Sequence, residues 1–411
     1  MLERCLLTLA IFPQDSIIKK RVLIHWWIGE GLVTPNGDST AEEVGDQCIE
    51  DLISKGFILR GNRKHCSQVK HLKVEQWIRE QQGTKRPTTS SGFVLHNFKT
   101  CFNVDRHNLR FEENGFKAMK NAAVMQLGRW QTSPKHHIEA ASAELLNWLA
   151  DFNKLRYLSL RGISNITYLP PSIGKLTDLM ILDLRACHNL ENLPVEVTML
   201  KKLTYLDVSE CYLLDHMPKG LHSLTKIRVL KGFVIGNSTS KDPCRLWELA
   251  SLQNLWKLSI RIGRDSAGKK REFHELTKFT ALRSLTITWG ATASTPSNGV
   301  RKALSGKSTA GIFNLSPPPN LDKLDLRCFP HNRAPEWLTP EKFPKLQKLY
   351  IRGGRFRRLG VGTEFNSVQV LRLRYLPDFT MQEPYLLKVF PRLTILEVHQ
   401  CRNLPSINRK L

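Results

Sequence analysis

The chain has 411 residues, 41% apolar and 24% charged, which leaves room for a domain plus a repeat array and excludes a disordered polymer. No apolar run approaches the ~20 residues of a membrane-spanning helix. Nine dispersed cysteines without a C-x-x-C pair exclude a disulfide framework and a zinc site, and fit reduced thiols in a cytoplasmic protein. The formal charge of +24 is unevenly placed, with +4 in residues 1–150 and +20 in residues 151–411, so the later part calls for an acidic partner.

Cys5–Phe12 (CLLTLAIF) reads as a buried helix and not a secretory signal, because no small-residue cleavage site follows it. Asp15 and Ser16 are placed to cap a helix from Ile17 to Glu30. Its Leu23, Trp26, Trp27 and Ile28 gather toward one side, and Gly31 is placed to end it. Ser39 and Glu42 have the spacing of a capping box for a second helix, with Val44, Cys48, Ile49, Leu52 and Ile53 inward and Gly56 at its end. A strand-like GFILR (Gly56–Arg60) and a short HCSQVKHL (His65–Leu72) follow. Residues 1–82 thus have a winged-helix plan. Residues 83–122, which start Gly/Thr/Ser-rich, read as a linker and solenoid entry, and AVMQLGRW (Ala123–Trp130) as the way into the array at 123–411.

LRYLSL, LMILDL and LTYLDV begin at Leu155, Leu179 and Leu203, 24 residues apart, and IRVL follows at Ile227. Irregular copies start at Leu255, Leu282, Leu321, Leu346, Val368 and Leu393. The pattern is a leucine-rich repeat, in which L-x-L strands face a shared core and must stack because one copy cannot bury its face alone. The fold expected is therefore α+β with an α/β solenoid: a winged-helix domain, then a leucine-rich-repeat solenoid. Cys187, Cys211 and Cys401 fall in the slot where such repeats turn, which reads as a small buried residue. The stretches 263–273 and 290–319 read as surface loops.

Alternation sends a second set of side chains to the open face. Its last column reads Arg161, Arg185, Ser209, Phe233, Arg261, Thr288, Arg327, Arg352, Arg374 and His399. Strands lie about 4.8 Å apart, so stacked arginines repel unless something negative answers them. Asp183, Asp207, Asp325 and Glu397 in the neighbouring column offer local pairing; a binding surface is the other reading. The cluster Arg352, Arg355, Arg357, Arg358, Arg372 and Arg374, with no acid matched to it in the sequence, reads as uncompensated and favours the surface.

No catalytic constellation is legible, and a non-enzyme is expected. SGKST (Ser305–Thr309) ends like a phosphate-binding loop, but Arg301 stands where its first glycine belongs. GVGTEF (Gly360–Phe365) lacks the third glycine of a dinucleotide fingerprint. A basic winged helix could bind nucleic acid. However, the Ile17–Glu30 helix offers Lys19, Lys20 and Arg21 and then apolar and aromatic residues, which suits protein packing better.

CLLTLAIFPQDSIIKKRVLIHWWIGEGLV and AEEVGDQCIEDLISKGFI, together with repeats such as APEWLTPEKFPKLQKLYIRGG (Ala334–Gly354), resemble plant nucleotide-binding leucine-rich-repeat immune receptors. The likeness is to the coiled-coil class and, within it, the RPP13-like group. The resemblance implies a plant defence protein whose repeats bind a pathogen effector or a host kinase-like protein, with self-association among the parent-family properties. It implies a chain without the family's coiled coil and nucleotide-binding core, and no cofactor of its own, although the family binds ADP or ATP. The family's Met-His-Asp motif, at a helix start, aligns with QVKHLKVEQWI. Lys70 or His71 takes the cationic place and the Asp is missing, so a solvated basic pair at a helix start is expected.

Overall fold

The computed structural model describes residues 1–12, 16–61, 71–74, 93–96, 99–103, 108–109, 120–130, 138–140, 146, 149–235, 243–263, 273–290, 315–359 and 363–410. Asp15, Lys70, most of both loop stretches, Ser305–Thr309 and Gly360 lie outside them. The chain divides into two compact units, Met1–Leu214 and Asp215–Leu411.

In the first unit, the apolar opening segment forms α1 (Leu2–Leu7) and a 3-10 turn (Thr8–Ile11), burying Cys5, Leu9, Ile11 and Phe12. The expected Ile17–Glu30 helix is shorter. Ile17–Lys19 is strand β1, and α2 runs Lys20–Glu30 with Lys19 as an N-cap that makes no side-chain cap bond. The reason is pairing: β1 gives its backbone to β3 (His71–Val74) with Ile18 buried opposite Leu72. Gly31 ends α2 in the left-handed region at φ 74°.

α3 (Ala41–Ser54) opens on a capping box one residue later than expected. Glu43 N donates to Thr40 Oγ1 at 3.2 Å, and Thr40 N donates to Glu43 Oε2 at 2.8 Å. Ser39 is engaged instead in a tight turn through reciprocal backbone bonds with Asn36. β2 (Ile58–Arg60) completes an antiparallel sheet of order β1-β3-β2.

The same unit holds a second sheet. β4 (Phe93–His96) pairs antiparallel with β5 (Thr100–Asn103). β5 then pairs in parallel with β7 (Val124–Gln126), and β7 with β9 (Tyr157–Ser159). β10 (Ile181–Asp183) and β11 (Tyr205–Asp207) follow in parallel at the 24-residue spacing of the sequence. Two short strands, β6 (Asn108–Leu109) and β8 (Glu139–Ala140), form a separate parallel pair. Leu158, Leu160, Leu182, Leu184 and Leu206 are fully buried, each contributing roughly 1.5–3 kcal/mol. Cys187 and Cys211 sit in the turns, their Sγ donating to Leu160 O at 3.2 Å and Leu184 O at 3.1 Å.

The second unit is β12 (Val229–Ile235), β13 (Lys257–Ile262), β14 (Ser284–Trp289), β15 (Lys323–Phe329), β16 (Lys348–Gly354), β17 (Val370–Leu376) and β18 (Ile395–Cys401) in parallel order. β19 (Ile407–Lys410) pairs antiparallel with β18. All ten segments read from the sequence are strands. 3-10 turns such as Leu246–Ser251, and the α-helix Glu383–Val389, make return paths among the described residues.

One backbone feature recurs. The residue after the last outward strand position has positive φ in seven repeats: Gly162, Ala186, Glu210, Cys328, Gly353, Tyr375 and Gln400. Five of these carry side chains, each at a cost of roughly 1–2 kcal/mol.

Candidate functional site

In the second unit, the outward face of β13–β18 builds the predicted column with one shift. A bulge between Lys231 and Phe233, where Gly232 has φ 86°, puts Val234 and not Phe233 opposite Arg261, and Phe233 turns fully inward. Arg261 then faces Thr288, and Arg327, Arg352, Arg374 and His399 follow on successive strands. All four arginines are half-buried.

Local pairing and an open surface share this wall. Arg327 binds Asp325 at 2.8 Å. Arg372, expected to be uncompensated, is held by Glu397 through both Nε at 2.6 Å and Nη2 at 2.5 Å. Arg374 shares the same carboxylate at 3.0 Å. The carboxylates of the adjacent column thus claim these arginines. Arg352 has no carboxylate within 4.0 Å among the described residues, and its buried Nε makes no hydrogen bond. Burial, then Arg327, Arg374 and Arg372, hold its guanidinium below the ordinary arginine value, with Asp325 pulling the other way. Glu397 shows the opposite balance. Burial pushes its carboxyl up, but the bonds and charges of Arg372 and Arg374 outweigh this and hold it below the usual carboxylate range.

Tyr350 lies at the centre of the wall, a residue sequence reasoning passed over. Its ring carries Lys323 Nζ at 4.4 Å and the Arg372 guanidinium at 4.3 Å. Its position two residues before Arg352, in the Asp325–Arg372–Glu397 column, is the signal that could have found it.

The first unit overturns the reading of Arg161 as surface. There α2 lies against β7 and β9, with Gly29 at the contact: a Cβ would stand 2.6 Å from Val124 Cγ2 and 2.9 Å from Tyr157 Cβ. The His25 ring meets Tyr205 at 4.4 Å and Tyr157 at 6.0 Å, and Arg21 sits over Tyr205 at 5.9 Å. Tyr157, Ser159, Asp183, Tyr205 and Asp207 are therefore buried, and Arg161 is only 8% exposed. Arg185 is paired with Glu210, not with the aspartates of the neighbouring column; Asp183 instead accepts the Arg185 backbone N–H at 3.0 Å. Burial, with Arg161, Arg185 and Arg129 nearby, pushes the Lys19 ammonium down to about 7.

Aromatic packing continues the contact. Phe12 meets Phe102 at 5.1 Å and Trp130 at 5.0 Å, and Trp26 Nε1 donates to Thr100 Oγ1 at 3.1 Å. The face that a DNA-reading helix would present is thus spent on the repeats. Tyr157 and Tyr205, at one repeat slot, are the sequence signal for this contact.

His71 does not open a helix. It begins β3, its carbonyl accepting Gly61 N–H at 2.8 Å, because the alternation H-L-K-V places Leu72 and Val74 in the core. The solvated pair at a helix start is therefore not formed at His71, and Lys70 lies outside the described residues.

Residues 124–408 match the family model of a leucine-rich repeat region, and residues 11–80 that of the disease resistance protein winged helix domain. The chain is 28% identical to Disease resistance RPP13-like protein 4 of Arabidopsis thaliana, over 98% of this chain and 49% of that protein. It is 24% identical to Probable disease resistance protein RF45 of the same plant, over 61% of this chain and 27% of that one. The chain spans about half or less of the length of these relatives. Among solved structures, an internalin of Listeria monocytogenes aligns at 17% identity over 72% of this chain and 73% of that one, with a TM-score of 0.44. Among the described residues, no helix is long and apolar enough to cross a membrane, and no His/Cys/Asp/Glu group could hold a metal ion.

Proposed function

The chain belongs to the leucine-rich-repeat disease resistance proteins that carry a winged-helix domain, and on that premise we propose that it recognises an acidic protein surface through the wall around Arg352. The partner class is a pathogen effector or a host kinase-like protein, and recognition is non-covalent. One observation carries the reading: three in-register arginines whose middle member has no carboxylate within 4.0 Å among the described residues and stands half-exposed. Unit charges 4 Å apart interact by roughly 1 kcal/mol in water and about 4 kcal/mol near a protein surface. An incoming carboxylate therefore relieves the repulsion on Arg352 from both sides and adds its own attraction. Tyr350 beside it, only 9% exposed, gathers Lys323 and Arg372 on its ring and so adds to the positive charge of the wall.

Two features speak against the nucleic-acid alternative. α2 is buried from Val22 to Gly29, and α3 carries Glu42, Glu43, Asp46, Glu50 and Asp51, none of them buried. The proposal gives His71 no nucleotide role and the chain no nucleotide switch of its own. ADP should accordingly leave the melting temperature of the purified chain unchanged.

The test is co-precipitation from pathogen-challenged leaf tissue with the wild type, Arg352→Glu and the charge-matched surface control Lys175→Glu. A discrete protein retained by the wild type and the control but lost by Arg352→Glu supports the proposal. Identical capture by all three overturns it. So does a nuclease-sensitive signal whose affinity falls log-linearly with salt.

A further inference from the structure

Below the strand exits of the second unit lies an open cavity of about 470 Å³, separate in its lining from the arginine wall and bounded by Pro330, His331, Asn332, Arg355, Arg357 and Asp378. We propose that this cavity is a binding site for a small phosphate-bearing anion.

The walls are fixed by the backbone. Arg355 N donates to Phe329 O at 3.1 Å, Arg357 N to Asn332 O at 2.9 Å, and Thr380 N to Arg357 O at 2.9 Å. Three consecutive exit turns are thereby tied to one another, and beside them the Phe329 and Phe356 rings meet at 4.8 Å and Phe329 meets His331 at 5.6 Å. The guanidiniums of Arg355 and Arg357 are exposed, and neither has a carboxylate within 4.0 Å among the described residues. Arg333 and Arg358, set side by side by a parallel bridge at the same exits, have none either. Asp378 is the only acid in the lining.

Two guanidinium forks present more donors than one carboxylate can accept. A phosphate, with three or four oxygens and up to two charges, matches them, because the arginine fork pairs with phosphate oxygens in bidentate fashion. The volume falls in the range of small-ligand sites, about 300–1,000 Å³. Phosphate on a free polyanion and phosphate on a lipid headgroup present the same chemistry to this site.

The test uses the full chain at constant ionic strength in two arms. One titrates inorganic tripolyphosphate by calorimetry, with sulfate as the competing ion. The other measures sedimentation with phosphatidylcholine vesicles doped with phosphatidic acid. Saturable binding in either arm that Arg355→Ala with Arg357→Ala weakens at least about tenfold, and that the control pair Lys175→Ala with Lys342→Ala leaves unchanged, supports the site; the responding arm names the source. If the alanine pair lowers the melting temperature, Arg355→Lys with Arg357→Lys keeps the charge while removing the forks, and a severalfold loss is expected. Binding absent in both arms, equal in the alanine pair, lost equally in the control pair, or lost only with Arg352→Ala overturns the proposal.

Discussion

Glu397→Gln tests the electrostatic account of the wall most directly. In the wild type, the Glu397 and Arg372 side chains are 9% and 10% exposed, joined by two bonds, with Arg374 as a third contact. The glutamine keeps the shape and part of the hydrogen bonding but removes the charge that Glu397 sets against the buried Arg372, whose guanidinium also lies 4.3 Å from the Tyr350 ring. Breaking one side of such a pair costs about 3–5 kcal/mol when nothing replaces it. Retained amide bonds bring the expectation to roughly 2–3 kcal/mol.

The pH dependence follows from the same carboxylate. Its folded value lies below the ordinary one, so the unfolded chain binds the proton more tightly. The stabilisation is therefore complete above the unfolded carboxylate value, near pH 4.5, and is lost as pH falls through the folded value. Urea unfolding followed by circular dichroism from pH 7 to pH 3 should show a falling acid limb in the wild type that Glu397→Gln flattens. Replacing both partners with leucine should come close to neutral at pH 7. A single variant within about 0.5 kcal/mol of the wild type, with the acid limb intact, would refute the reasoning.

Arg352→Ala removes a charge that its neighbours oppose, so it should leave urea stability unchanged or slightly raised, whereas Arg327→Ala orphans the buried Asp325 and should lower it by about 1–3 kcal/mol. Gly29→Ala gains about 1 kcal/mol of helix propensity but forces a methyl to within 2.6 Å of Val124 and 2.9 Å of Tyr157. Overpacking of about 1–3 kcal/mol should win, giving a lower melting temperature and faster amide exchange along α2. Thr40→Ala should cost about 1 kcal/mol by urea melts, and Ser39→Ala almost nothing. Lys19→Met should stabilise the chain at pH 8. The wild-type ammonium is easier to deprotonate when folded, so wild-type stability rises between about pH 7 and pH 10.5, a slope the methionine chain lacks.

The repeat strands were legible because a leucine must recur at fixed spacing to reach a shared core, and every L-x-L segment from Leu155 onward became a strand. β5 and β19 escaped notice: TCFN and INRK lack that alternation, and their partners come from the fold and not from a local pattern. Two S/T-x-x-E frames overlapped at residues 39–43, and only the turn occupying Ser39 separated them. The column of arginines was readable as a register, but which of them finds an acid was not. Glu210, the residue that holds Arg185, stands outside the strand alternation altogether. Arg161 was lost to packing against the solenoid entry, where Arg129 N donates to its carbonyl at 2.6 Å, and no periodicity within the repeats encodes that.

Glu210 occupies one of the left-handed exit turns, at φ 66°. A glycine there would relax the backbone, but it would also release Arg185. The number of free cations along that rung is thus governed by a main-chain torsion held in an uncomfortable range. Tyr375, at φ 56° on the rim of the second unit, likewise projects a side chain from such a corner, its ring meeting that of His399 at 5.4 Å. At these corners the surface chemistry and the conformational comfort of the chain pull in opposite directions, so stabilising glycines introduced there would alter what the rim presents.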